Sequence, residues 1–154
     1  MHHAATAFIA AILSVATVTG ADAQVARPDR IGILVGSHHV GAEEDFEEFN
    51  PGIILSWERD LDWSLGAYRN SYDRLSAVAA VGKNWELRPG IEAGVFGGAA
   101  WYPEDGRRLA VHVGDVVPIG GLQARVGHAF VQVIPAFGLG ADAIVAGGIS
   151  FPLD

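Results

Sequence analysis

Two stretches, "IEAGVFGGAA" at 91–100 and "AIVAGGISF" at 143–151, constrain this chain most: each has the length of a β-strand and almost no polar face. A strand in a soluble antiparallel sheet alternates, because one of its faces meets water. Strands apolar on both faces, with many small residues, suit a closed sheet that has lipid outside and a narrow interior. Half of the 154 residues are hydrophobic, yet no segment beyond residue 23 approaches the ~18 consecutive apolar residues of a membrane-spanning helix. That excludes a helical membrane protein.

Period-two alternation repeats along the chain, punctuated by turn chemistry. Segments at 31–39, 53–59, 63–70, 76–87, 91–101, 127–134 and 141–151 each read as one strand. In the first, Ile31, Ile33, Val35, Ser37 and His39 share one face, and Gly32, Leu34, Gly36 and His38 share the other. Between 109 and 126, Gly114, Pro118, Gly120 and Gly121 are expected to break any single strand. The total is eight strands of about 8 to 11 residues, near what a tilted strand needs to cross hydrocarbon. Tight turns at 60–62 and 88–90 alternate with longer polar connections at 40–52 and 102–108. The expected fold is all-β, an eight-stranded antiparallel transmembrane barrel of outer-membrane type, with 40–52, 71–76 and 102–108 on the outer side. A soluble periplasmic barrel or sandwich is the competing fold; the ending "ISFPLD", which lacks a terminal aromatic, and an aromatic content of only 9% speak for it.

Residues 1–23, apolar from Ala4 to Val18 and ending Ala21-Asp22-Ala23, read as a signal peptide, which leaves 24–154 as one exported domain in the outer membrane. Without cysteine, that domain must be held by its core or by lipid rather than by disulfides. Acidic residues outnumber basic ones 18 to 10, so no nucleic-acid partner is expected. No cofactor is expected either. The run Glu43, Glu44, Asp45, Glu47 and Glu48 reads as a solvated loop, although carboxylates could also hold a divalent cation against lipopolysaccharide phosphates.

The familiar hydrolase and nucleotide-binding motifs are absent, which leaves His38-His39 at the end of the first strand and Asn70-Ser71 at the end of the third. In a narrow barrel the rims of all strands lie within about 10 to 15 Å of the axis, so these two ends can meet. A neutral histidine beside a serine hydroxyl can draw off its proton as the oxygen attacks an ester, which is acyl-transfer chemistry. The plain alternative is exposed histidines and ordinary Asn-Ser turn chemistry.

These residues, with "LGAYRNSYDRLSAVAAVG" and "VVPIGGLQARVGHAFVQVIPAFG", resemble a divergent branch of the outer-membrane lipid A palmitoyltransferases, a PagP-like family of small eight-stranded barrels. The resemblance implies an enzyme, with phospholipid and lipid A of lipopolysaccharide as its partners, acting as a monomer. It implies transfer of a palmitoyl-like chain with His39 or His38, Ser71 and Asn70 as the catalytic set. Tyr68 and Arg69 would contact substrate, and lipid would enter through a wall broken at Pro118 and Pro135. Gly94, Gly97, Gly98 and Ala99 would make room for the acyl chain. Asn70 stands where the common branch has Asp, and a neutral amide cannot stabilise an imidazolium by charge. It would serve as an oxyanion donor, or a loop acid such as Glu43 or Asp45 would supply the charge. A lipid A deacylase and a non-catalytic structural barrel are the alternatives.

Overall fold

The computed structural model describes residues 26–136 and 140–153; the expected signal peptide, 1–23, lies outside them. Eight antiparallel strands close into a meander barrel: β1 (Arg30–Val40), β2 (Gly52–Trp57), β3 (Asp62–Arg69), β4 (Leu75–Arg88), β5 (Ile91–Trp101), β6 (Val116–Val126), β7 (Ala129–Pro135) and β8 (Ala143–Pro152). One end, called lower here, carries both ends of the described chain and the tight turns at 58–61, 89–90 and 127–128. The upper end carries the long connections, among them L1 (41–51), L2 (70–74) and L3 (102–115). L3 contains a single 3-10 turn, Gly106–Arg108.

The region expected to break instead forms the continuous eleven-residue β6, running through Pro118, Gly120 and Gly121. The reason lies in its edges. β5 pairs with β6 along its whole length, from Val116 to Val126, but β7 pairs only with Leu122–Val126. Above Leu122 one edge of β6 has no ladder to supply, and a proline there removes no hydrogen bond that the sheet needs.

Residue parity sorts the wall into two chemistries, the reverse of a soluble barrel. Outward positions are apolar, with Ile33, Ile53, Leu65, Val95, Leu122 and Ile149 all exposed. Trp63, Trp85 and Phe151 form an outward aromatic group near the lower end, and Trp101 stands near the upper one. Besides His38 and Arg69 at the upper rim, Lys83 departs from this on the outward face, and its ammonium reaches the Asp60 carbonyl in the lower turn at 2.6 Å. The lower interior is polar. Glu58 accepts from Arg30 at 2.8 Å and from Arg125 at 3.2 Å, and Arg125 also holds Glu92 at 2.5 Å. Gln132, Gln123, Asn84 and Asp62 continue the network in a chain of 3.2, 2.9 and 2.8 Å bonds. A cavity of about 240 Å³ runs from this polar floor, which lines its lower part, up to an apolar upper part lined by Leu34, Ile54, Val78, Phe96, Ile119 and Ile134.

Glycine is required where strands coil closest. A Cβ on Gly121 would sit 2.0 Å from the Val133 carbonyl oxygen, and one on Gly98 2.1 Å from that of Ala79, whereas Gly97 has only the Ile119 oxygen, 3.9 Å away. Gly121→Val and Gly98→Val are therefore expected to prevent barrel closure while Gly97→Val permits it, which heat-modifiable migration on a gel will report.

Candidate functional site

The site begins with an extra residue in β1. Across the ladder with β8, Leu34 pairs with Gly148 and Gly36 with Gly147, so Val35 is inserted as a β-bulge. Below the bulge Gly32 and Leu34 point inward and Ile31 and Ile33 outward; above it, Ser37 and His39 are the inward pair. Simple alternation, which put Ile31, Ile33, Ser37 and His39 on one face, fails at this point. The bulge also settles the two histidines. His38 faces out, with Nδ1 2.7 Å from Glu48 Oε1, whereas His39 is only 5% exposed.

His39 Nε2 lies 3.0 Å from Ser71 Oγ. The pair meets because L2 is held as a tight turn by Asn70, which is completely buried. Its side-chain oxygen accepts from the backbone N–H of Tyr72 at 2.9 Å and of Arg74 at 3.1 Å, and its amide donates to Ser76 Oγ at 2.8 Å. Asn70 also bonds Arg74 and Asp73 through its main chain, closing a loop in which Asp73 takes a left-handed conformation, φ 62°. Arg69 points away from the cavity and binds Asp73 and Glu47; its hydrogen bond to Asp73 holds that carboxyl below its usual range. Asn70 thus presents Ser71 rather than His39 or a reacting carbonyl, and its oxygen and amide are spent on the turn.

L1 forms the other wall. Above Leu34 and Gly52 the β1–β2 ladder stops, and residues 47–50 fill the space as an irregular strap. Ser37 N–H donates to the Glu48 carbonyl at 2.9 Å, Glu47 N–H to the Ser71 carbonyl at 3.0 Å, and Ser37 Oγ to the buried Asn50 Oδ1 at 2.5 Å. The strap sets Phe46 flat on the His39 ring, with centroids 4.2 Å apart and planes 18° from parallel. His39 Nδ1 is buried and has no hydrogen-bond partner among the described residues. Glu43 and Asp45 therefore do not bind it.

Ser71 lines the cavity together with Tyr68 and Tyr102, whose rings meet edge-on with centroids 6.4 Å apart. Gly52 makes room for Tyr68, since a Cβ there would fall 2.4 Å from that of the tyrosine. Pro118 and Pro135 border the same cavity on either side of the unpaired stretch between β6 and β7, so the wall is discontinuous there. The glycines are placed otherwise. Gly97 faces outward, Gly94 and Gly98 abut the backbone of β4, and Phe96 is the β5 residue that lines the cavity. Phe46, Tyr72 and Tyr102 were not signalled by the sequence. Each lies in a polar connection, where a lone aromatic carries no periodicity to mark it.

No protein-family model and no curated protein matches this chain.

Removing the Asn70 side chain would strand two backbone donors in a buried turn, at about 1–3 kcal/mol for each group left without an acceptor. Asn70→Ala should accordingly lower resistance to urea, read as loss of the heat-modifiable form. Asn70→Asp should stay near wild type, because a carboxylate accepts the same two N–H bonds and the Ser76 hydroxyl can turn to donate.

Proposed function

We propose that the protein is an outer-membrane acyltransferase that moves a palmitoyl-like fatty acyl chain from a phospholipid to lipid A of lipopolysaccharide. The observation that carries this is the 3.0 Å contact of His39 Nε2 with Ser71 Oγ at the mouth of an apolar cavity. An outward face that is mostly apolar, with an ion-pair network in the lower interior, supports placement in a bilayer. The gap beside Pro118 and Pro135 supports lateral entry of a lipid chain into that cavity.

In this reaction neutral His39 takes the Ser71 hydroxyl proton as Oγ attacks the donor's ester carbonyl. The tetrahedral adduct collapses, the glycerol oxygen leaves with the proton from His39, and the chain stays esterified to Ser71. A lipid A hydroxyl then gives its proton to His39 and attacks the acyl carbon. Ser71 Oγ departs and recovers the proton. The Tyr68 and Tyr102 phenols, which line the same cavity as Ser71, are available to donate to the developing oxyanion. Phe46 stacking fixes the plane of the imidazole, a task that a carboxylate performs in a charge-assisted triad.

Mass spectrometry of lipid A from cells with and without the gene is the direct test. A gained acyl chain supports the transferase, a lost chain would identify a deacylase, and no change would leave a structural barrel. Ser71→Ala and His39→Ala should each lower the transfer rate by ~10³ or more, and His38→Ala should not. The rate should fall once acidic pH protonates His39, because only the neutral imidazole can accept the serine proton. Recovery of the folded protein in a soluble fraction without detergent would contradict the membrane placement.

A further inference from the structure

Starting from His39, which contacts Ser71, aromatic rings follow one another in a continuous series that acyl transfer itself does not require. His39 stacks on Phe46 at 4.2 Å, Phe46 meets Tyr72 edge-on at 6.0 Å, Tyr72 meets Tyr102 at 6.4 Å, and Tyr102 meets Tyr68 at 6.4 Å. The rings come from β1, L1, L2, L3 and β3, so every neighbouring element contributes one. Each is anchored by its own main chain. The residue after Phe46 bonds the Ser71 carbonyl, Tyr72 N–H is held by Asn70, and Tyr102 N–H donates to the Asp115 carbonyl at 2.7 Å. Phe46 also reaches the upper connection before β8, where a Cβ on Gly140 would lie 3.4 Å from its Cζ. The Arg108 guanidinium covers the Tyr72 ring from outside at 4.9 Å.

We propose that Phe46 and Tyr72 form a lid that keeps water from the acylated Ser71, and that this lid decides between transfer and hydrolysis. The inference rests on the acyl-transfer reading above and names what sets its outcome. Once the lysophospholipid has left and before a lipid hydroxyl arrives, the Ser71 ester is a waiting intermediate. Any water that reaches it can give a proton to His39, attack the acyl carbon and release a free fatty acid. A bound lipid hydroxyl competes well through its high effective concentration, but only after it is bound. During the wait, exclusion of water is the only protection. Beneath Phe46 the His39 ring is sealed to the point that Nδ1 is buried, which shows how closely the stack covers the base.

The test uses the purified full chain in mixed micelles of detergent, lipid A and a phospholipid with an isotope-labelled acyl chain, prepared in heavy-oxygen water. Free fatty acid and acylated lipid A are measured per chain removed from the donor, and heavy oxygen in the fatty acid marks discharge by water. Phe46→Ala should raise the ratio of fatty acid to acylated lipid A by about tenfold, and adding Ser71→Ala should abolish both products. Phe46→Leu and Tyr72→Leu, which keep most of the packing volume, should shift the ratio in the same direction by less and serve if the alanine variant does not fold. Folded variants that consume donor with a wild-type ratio would overturn the lid and leave acyl transfer standing. A wild-type protein that removes no chain from the donor would overturn the acyl-transfer reading, and the lid with it.

Discussion

The ladder between the first and last strands is the contact on which the molecule depends. β1 meets β8 from Arg30–Pro152 to Val40–Ala143, and this pairing turns a seven-ladder sheet with two open edges into a barrel with none. Closure satisfies backbone groups that would otherwise invite pairing with other chains. It also creates an inside, which is the precondition for everything chemical here. The insertion of Val35 within that same ladder is what delivers His39 to the interior. Closing the fold and aiming the base are consequences of one set of hydrogen bonds.

The inside is divided by depth. Charged and amide side chains knit the lower interior across β1, β3, β4, β5, β6 and β7, while the upper interior offers apolar walls. An ion pair in such a place is stable because each charge has several partners; Arg125 has two carboxylates and Glu58 two guanidiniums. The wall is interrupted at the top, where the β1–β2 and β6–β7 ladders both stop short. Polar bonding below and interruption above give one scaffold both a positioned His39–Ser71 pair and a wall that is discontinuous near it.

Much of this was legible in the sequence because alternation and turn chemistry are local. The strand count, the meander and the side of the barrel holding the long connections follow from residues a few positions apart. Pro118 and Pro135 were equally legible as positions where a ladder loses a donor, since that is a property of the residue itself, although β6 runs on through Pro118. What stayed hidden depends on partners. Whether Gly120 and Gly121 end a strand is decided by β5, and whether His38 or His39 turns inward is decided by β8. Asn70 illustrates a different limit. Its letter beside Ser71 invites a catalytic role, but the competing bonds are with the backbone of its own turn, and a sequence does not display which demand a side chain has met. Gly94 and Gly98 mislead for a related reason: small size suggests space for a ligand, yet here the neighbouring strand already occupies it.

The paired histidines acquire a meaning of their own from the bulge. If the strand above Leu34 were straightened and slid by one residue, Gly36 and His38 would face the interior in place of Ser37 and His39. An imidazole would still arrive at the rim. A tandem of identical residues across a parity switch is thus a form of redundancy: register errors in this strand change which copy serves, but not which functional group is presented. Single histidines at such a position would tie function to one alignment of β1 against β8, and twin ones release the strand from that dependence.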